Sequence, residues 1–73
     1  KLSWKEQREL EALPGKISDL EGEQADLSRL LEDPAIYQRD AQAAQKAAER
    51  LAAIDDELMQ CLERWETLES RIG

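Results

Sequence analysis

Apolar side chains recur along this chain mostly at alternating steps of three and four residues. They fall at Leu10, Leu13, Ile17, Leu20, Leu27 and Leu31, and again at Leu51, Ile54, Leu58, Leu62, Trp65, Leu68 and Ile72. Such spacing keeps one narrow stripe of each helix turned toward a partner helix. Asp33-Pro34 interrupts the sequence between the two stripes. The pattern predicts an all-α fold, an antiparallel two-helix coiled-coil hairpin with a short N-terminal helical segment, forming one domain over residues 1–73.

The helix ends are marked by local chemistry. Ser3 stands three residues before Glu6, the arrangement in which hydroxyl and carboxylate each satisfy a free backbone N–H, so a helix is expected from residue 4. Pro14 lacks an N–H and crowds the preceding turn, which biases Leu13 away from helical angles. A break is therefore expected there, giving a short helix over 4–13 and a second one over 14–32, opened by Pro14. The connector 33–40 carries Ile36 and Tyr37, both expected to fold back over the end of the seam. Asp40 suits the N-cap of a last helix over 41–72, about 45 Å long, and Gly73 suits its end. Its opening alanines favour helix and keep it slim.

In heptad terms Ile17, Gln24 and Leu31 take a positions and Leu20 and Leu27 take d. In the last helix Ala44, Leu51, Leu58, Trp65 and Ile72 are a, and Ala47, Ile54, Cys61 and Leu68 are d. Two registers are open to the pairing. With Leu27 beside Ala44, the g positions bring Glu9 to Arg64, Lys16 to Glu57 and Glu23 to Arg50. With Leu27 beside Leu51, Lys16 meets Arg64, Glu23 meets Glu57 and Glu21 meets Asp55, all repulsive. Each exposed pair is worth a few tenths of a kcal/mol, but the swing from attraction to repulsion reaches about 2 kcal/mol. The first register is therefore expected, with Ile17 beside Ile54, Leu20 beside Leu51, Leu10 beside Cys61, and Gln24 opposite Ala47 within reach of solvent. Beyond Leu10, Trp65 and Leu68 need Leu2 and Trp4 as cover, so the two tryptophans are expected close together.

Composition narrows the functional classes. A chain of 73 residues buries only about 60% of its unfolded surface, so its core is a seam and offers no dry pocket for catalysis. No apolar run approaches the ~20 residues of a membrane span, and no secretory segment is present, which gives a cytoplasmic expectation with no membrane partner. The chain opens on Lys1 and not on Met, as expected of a segment of a longer polypeptide. The single Cys61 lies on the apolar stripe and reads as a core thiol, and without His the chain offers no ordinary zinc set. No metal, cofactor or catalytic residue is expected.

Seventeen acidic against ten basic residues give a net charge of −7, which repels polyanions overall. Any nucleic-acid contact therefore needs a local basic patch. The candidates are Lys1, Lys5, Arg8, Arg64 and Arg71, gathered by the expected register at the end where the chain starts. Glu6, Glu9, Glu11, Glu63, Glu66 and Glu69 share that neighbourhood.

Three segments carry a resemblance. The opening Lys1-Leu2-Ser3-Trp4-Lys5-Glu6-Gln7-Arg8-Glu9-Leu10-Glu11-Ala12-Leu13-Pro14, the connector Asp33-Pro34-Ala35-Ile36-Tyr37 and the late Arg64-Trp65-Glu66-Thr67-Leu68-Glu69 closely resemble the C-terminal domain of the ABC-F ATPases of the bacterial Uup type. The resemblance covers essentially the whole chain. It implies a soluble parent ATPase with two ATP-binding cassettes and no membrane-spanning part. It also implies association with ribosomes and a C-terminal domain that binds DNA. This chain has no Gly-x-x-x-x-Gly-Lys-Ser/Thr loop, so the ATP belongs to the rest of such a parent. The functional expectation is an accessory arm that touches DNA or ribosomal RNA through phosphates without reading bases. The alternative is a structural coiled coil for protein contact or self-association.

Overall fold

The computed structural model describes residues 1–72, and the expectation for Gly73 lies outside them. Helix α1 runs Trp4–Glu32, a short helix α2 runs Ala35–Arg39, and α3 runs Ala41–Ile72. The long helices lie antiparallel in a rod of 54 × 17 × 15 Å, with α2 turning the chain at the tip.

The start of α1 is the expected capping box. Glu6 N–H donates to Ser3 Oγ and Ser3 N–H donates to Glu6 Oε1, both at 3.1 Å. At the tip, Asp33 N–H closes on the Leu30 carbonyl and the Asp33 side chain accepts from Ala35 N–H at 3.0 Å, so one residue ends α1 and starts α2. Asp40 caps α3 by accepting from Ala43 N–H at 3.0 Å.

One expected boundary is absent. Pro14 lies inside a continuous α1, and the separate helices 4–13 and 14–32 merge into one. An interior proline costs about 3 kcal/mol through the lost hydrogen bond and the clash with the carbonyl four residues earlier. Here the residue is exposed, which leaves the orphaned Leu10 carbonyl within reach of water. On either side Leu13 and Leu20 are buried in the same core, and straight passage through Pro14 keeps both there. Tertiary packing outweighs the local preference.

The core is the predicted seam. Leu13, Leu20, Ile54, Cys61 and Leu68 form its centre, with Ile54 and Leu68 fully enclosed. Near the tip Ala44 and Ala47 are buried as well, and the slimness of α3 there admits Ile36 from α2. Tyr37 departs from expectation. It stays exposed and donates its hydroxyl to the Leu31 carbonyl, satisfying an end group of α1 in place of covering the seam.

The alignment is fixed by two bidentate forks. Arg64 Nε and Nη2 donate to Glu9 at 2.8 and 3.0 Å, and Arg50 Nε and Nη2 donate to Glu23 at 2.7 and 2.9 Å. The forks lie two heptads apart on both helices and are two of the three g-position pairs expected with Leu27 beside Ala44. The third expected pair is replaced, because Glu57 lies 3.8 Å from Arg50. Gln24 gains a partner that the heptad pattern did not foretell, donating to Asp55 Oδ1 at 2.7 Å.

Candidate nucleic-acid interface

Antiparallel pairing returns the end of α3 to the beginning of α1, and this open end holds all five candidate cations. The structure sorts them into two groups. Arg64 and Arg71 point into carboxylates of α1: Arg71 pairs with Glu6, while Arg64 lies 3.8 Å from Glu6 beside its fork with Glu9. Lys1, Lys5 and Arg8 are exposed and stand outside the ion pairs found among the described residues.

The electrostatics of the first group lock it. Hydrogen bonding from the Ser3 backbone N–H, supported by Arg71 and Arg64, holds the Glu6 carboxyl below its ordinary value. The Arg64 guanidinium does the same for Glu9, and in return Glu9 raises the affinity of Arg64 for its proton. These acids are ionised at neutral pH, so the two arginines are largely neutralised by groups of their own chain. A phosphate would have to compete with a planar carboxylate already in bidentate contact.

In the second group Arg8 lies against an exposed aromatic surface. Trp4 is 73% exposed, and the Arg8 guanidinium carbon lies 5.0 Å from the centroid of its ring, a cation–π contact. The two residues are four apart on one helix, a spacing that places side chains over one another. That spacing was the available signal for this contact, and reading Trp4 as cover for the seam hides it. The expected meeting of the tryptophans does not occur. Trp4 lines an outer surface with Gln7, Arg8, Glu11 and Ala12, whereas Trp65 lines another with Pro14, Ile17 and Leu62. Helical side chains lean toward the N-terminus of their own helix, which carries Trp65 toward the tip and away from Trp4. Leu2 does pack on the core as expected.

Lys1 and Arg71 line one shallow groove with Leu2, Gln7, Leu10, Glu11 and Ile72, so the arrangement joins Lys1 to the paired cations and leaves Arg8 on the outer face. Among the described residues no cluster of His, Cys, Asp and Glu is gathered to hold a metal ion, and no helix is long and apolar enough to cross a membrane. Cys61 is buried as a free thiol.

Comparison with known proteins agrees in family. The sequence model described as "ABC transporter C-terminal domain" matches residues 1–70. The chain is 41% identical over 70 residues to the "ATP-binding protein Uup" of Escherichia coli (strain K12), covering 96% of this chain and 11% of that protein. It is 39% identical over 71 residues to both the "ATP-binding protein Uup-like" and the "ATP-binding protein Uup" of Haemophilus influenzae, covering 97% of this chain and 16% and 11% of those proteins. The chain thus spans about a tenth to a sixth of the length of these relatives. No solved structure matches. A capped hairpin with an Asp-Pro tip, matched end to end by this model and these relatives, belongs to the ABC transporter C-terminal domain family, in the form found in Uup-type ABC-F proteins.

Proposed function

We propose that this hairpin is the accessory arm of a soluble, cytoplasmic ABC-F ATPase, and that it touches nucleic-acid phosphates weakly and without sequence preference through its open end. The relatives are named as ATP-binding proteins, and the ATP chemistry is assigned to the rest of such a polypeptide, since the arm contains no phosphate-binding loop. The observation that carries the reading is the exposed set Lys1, Lys5 and Arg8, the last lying over Trp4, cations that stand outside the ion pairs found among the described residues. Lysines offer mobile point charges, and an arginine flat against an indole is held ready for phosphate at low entropic cost. Nothing in the hairpin inserts a helix into a groove with base-reading side chains, so contact of this kind is positional.

Three phosphate contacts predict a shallow salt dependence, with log K falling by about 0.9 per contact for each tenfold rise in salt, hence a slope near −3 on duplex DNA. Fluorescence anisotropy with labelled DNA of unrelated sequences measures it. Affinity should be equal across sequences and disappear in a Lys5→Glu, Arg8→Glu variant whose circular dichroism is unchanged. Binding that survives this reversal, or that prefers one sequence, overturns the assignment of these residues.

A further inference from the structure

The two edges of the hairpin are unlike. On the edge lined by g and d positions the seam is closed: Leu13, Leu20, Ile54, Cys61 and Leu68, all d residues, are buried, and the Glu9–Arg64 and Glu23–Arg50 forks lie across them. On the opposite edge, lined by a and e positions, the a residues Leu10, Ile17, Leu58 and Trp65 are only partly covered. Leu62 at an e position is 53% exposed, and Met59 beside it at b is 61% exposed. Pro14, Ile17, Leu62 and Trp65 together line an apolar surface there. The apolar stripe of α3 is thus wider on this side than α1 can cover.

The charges are segregated in the same sense. Every Lys and Arg of α1 and α3 stands at a c, f or g position. The b and e positions carry acids alone among charged residues, with Glu21 and Asp55 toward the tip of the apolar surface and Glu66 and Glu69 toward the open end. A second copy of this chain would bring acid against acid along that edge. A polyanion is excluded for the same reason.

We propose that the a/e edge is a docking surface for an amphipathic protein helix whose apolar stripe is flanked by Lys or Arg. The apolar stripe covers the half-exposed a residues as a third helix of a bundle, and the flanking cations pair with the acids at each end. Charge complementarity selects this occupant over a second copy. The surface is distinct from the open-end cations, so this inference stands or falls separately from the nucleic-acid reading.

The test titrates the chain with a synthetic amphipathic helix carrying a leucine stripe flanked by lysines, followed by NMR of the two indole N–H signals. Trp65 should shift saturably while Trp4 stays in place, and a scrambled peptide of the same composition should leave both unmoved. Leu62→Glu, at an exposed site that leaves the hairpin folded, should weaken binding at least about tenfold. Glu21→Lys with Glu66→Lys should reverse the preference toward a glutamate-flanked peptide. Equal binding of the scrambled peptide, indifference to Leu62→Glu, or a dimer of the free chain that already shields Trp65 would each overturn the proposal.

Discussion

Glu6 shows how much one half-buried side chain can organise. One oxygen returns the capping bond to the Ser3 N–H, and the other meets Arg71 and Arg64, so the start of α1 and the end of α3 are fastened through a single carboxylate. The Ser3 half is the simpler to test: Ser3→Ala removes the bond to Glu6 N–H and should cost about 1 kcal/mol in chemical denaturation. The acids also give a pH signature. Glu9 and Glu23 are held below their ordinary value of 4.5 chiefly by hydrogen bonds from Arg64 and Arg50. A carboxyl whose folded pKa is depressed contributes stability that is complete above the unfolded pKa and lost as pH falls through the folded one. Thermal melts of the parent chain and of a Glu9→Gln, Glu23→Gln variant should therefore differ at neutral pH and converge as pH drops below about 4.5. A gap that persists in strong acid would show that the forks contribute packing and not charge.

At the scale of elements, α1 carries more helix-breaking sequence than its straight course reveals. Pro14, Gly15 and Gly22 all lie within it. A Cβ built on Gly22 meets nothing within 4 Å, and its φ is not positive, so Gly22→Ala should stabilise the hairpin by about 1 kcal/mol. Pro14→Ala should also stabilise it, by less than the ~3 kcal/mol intrinsic penalty because the ring's apolar contact surface with Trp65 and Leu62 is lost. Urea titrations settle both, and a destabilised Gly22→Ala would mean the helix needs its flexibility there. These residues also mark what the sequence could and could not convey. The capping box, the Asp33-Pro34 stop, Asp40 and the two g-position forks were legible because each depends on neighbours in sequence or on the sign of a charge. The continuity through Pro14 was not, since it depends on the burial of Leu13 and Leu20 against α3. Tyr37 was misjudged because its size argues for cover, while the free Leu31 carbonyl that takes its hydroxyl exists only once α1 ends where it does.

For the whole molecule, the five candidate cations were correctly brought to one end by the register, yet residue type alone could not say which had already been claimed. Arg64 and Arg71 are committed to Glu6 and Glu9, whereas Arg8 lies over the face of Trp4 and outside the ion pairs found among the described residues. A dissociation of effects follows. Arg64→Gln should lower the melting temperature and leave DNA affinity within about a factor of two, whereas Arg8→Gln should weaken DNA binding and barely move the melt. Parallel melts and anisotropy titrations read both.

The forked edge has a mechanical consequence. Arg50 reaches both Glu23 across the seam and Glu57 along its own helix, and Arg64 reaches Glu9 and Glu6, so each guanidinium braces the joint diagonally. Sliding one helix past the other by a heptad breaks both braces at once and sets Glu23 against Glu57. Both forks therefore oppose sliding along the length of a hairpin whose core is one side chain thick. An arm built this way transmits motion as a strut does, where an unbraced seam of the same residues would yield as a slide.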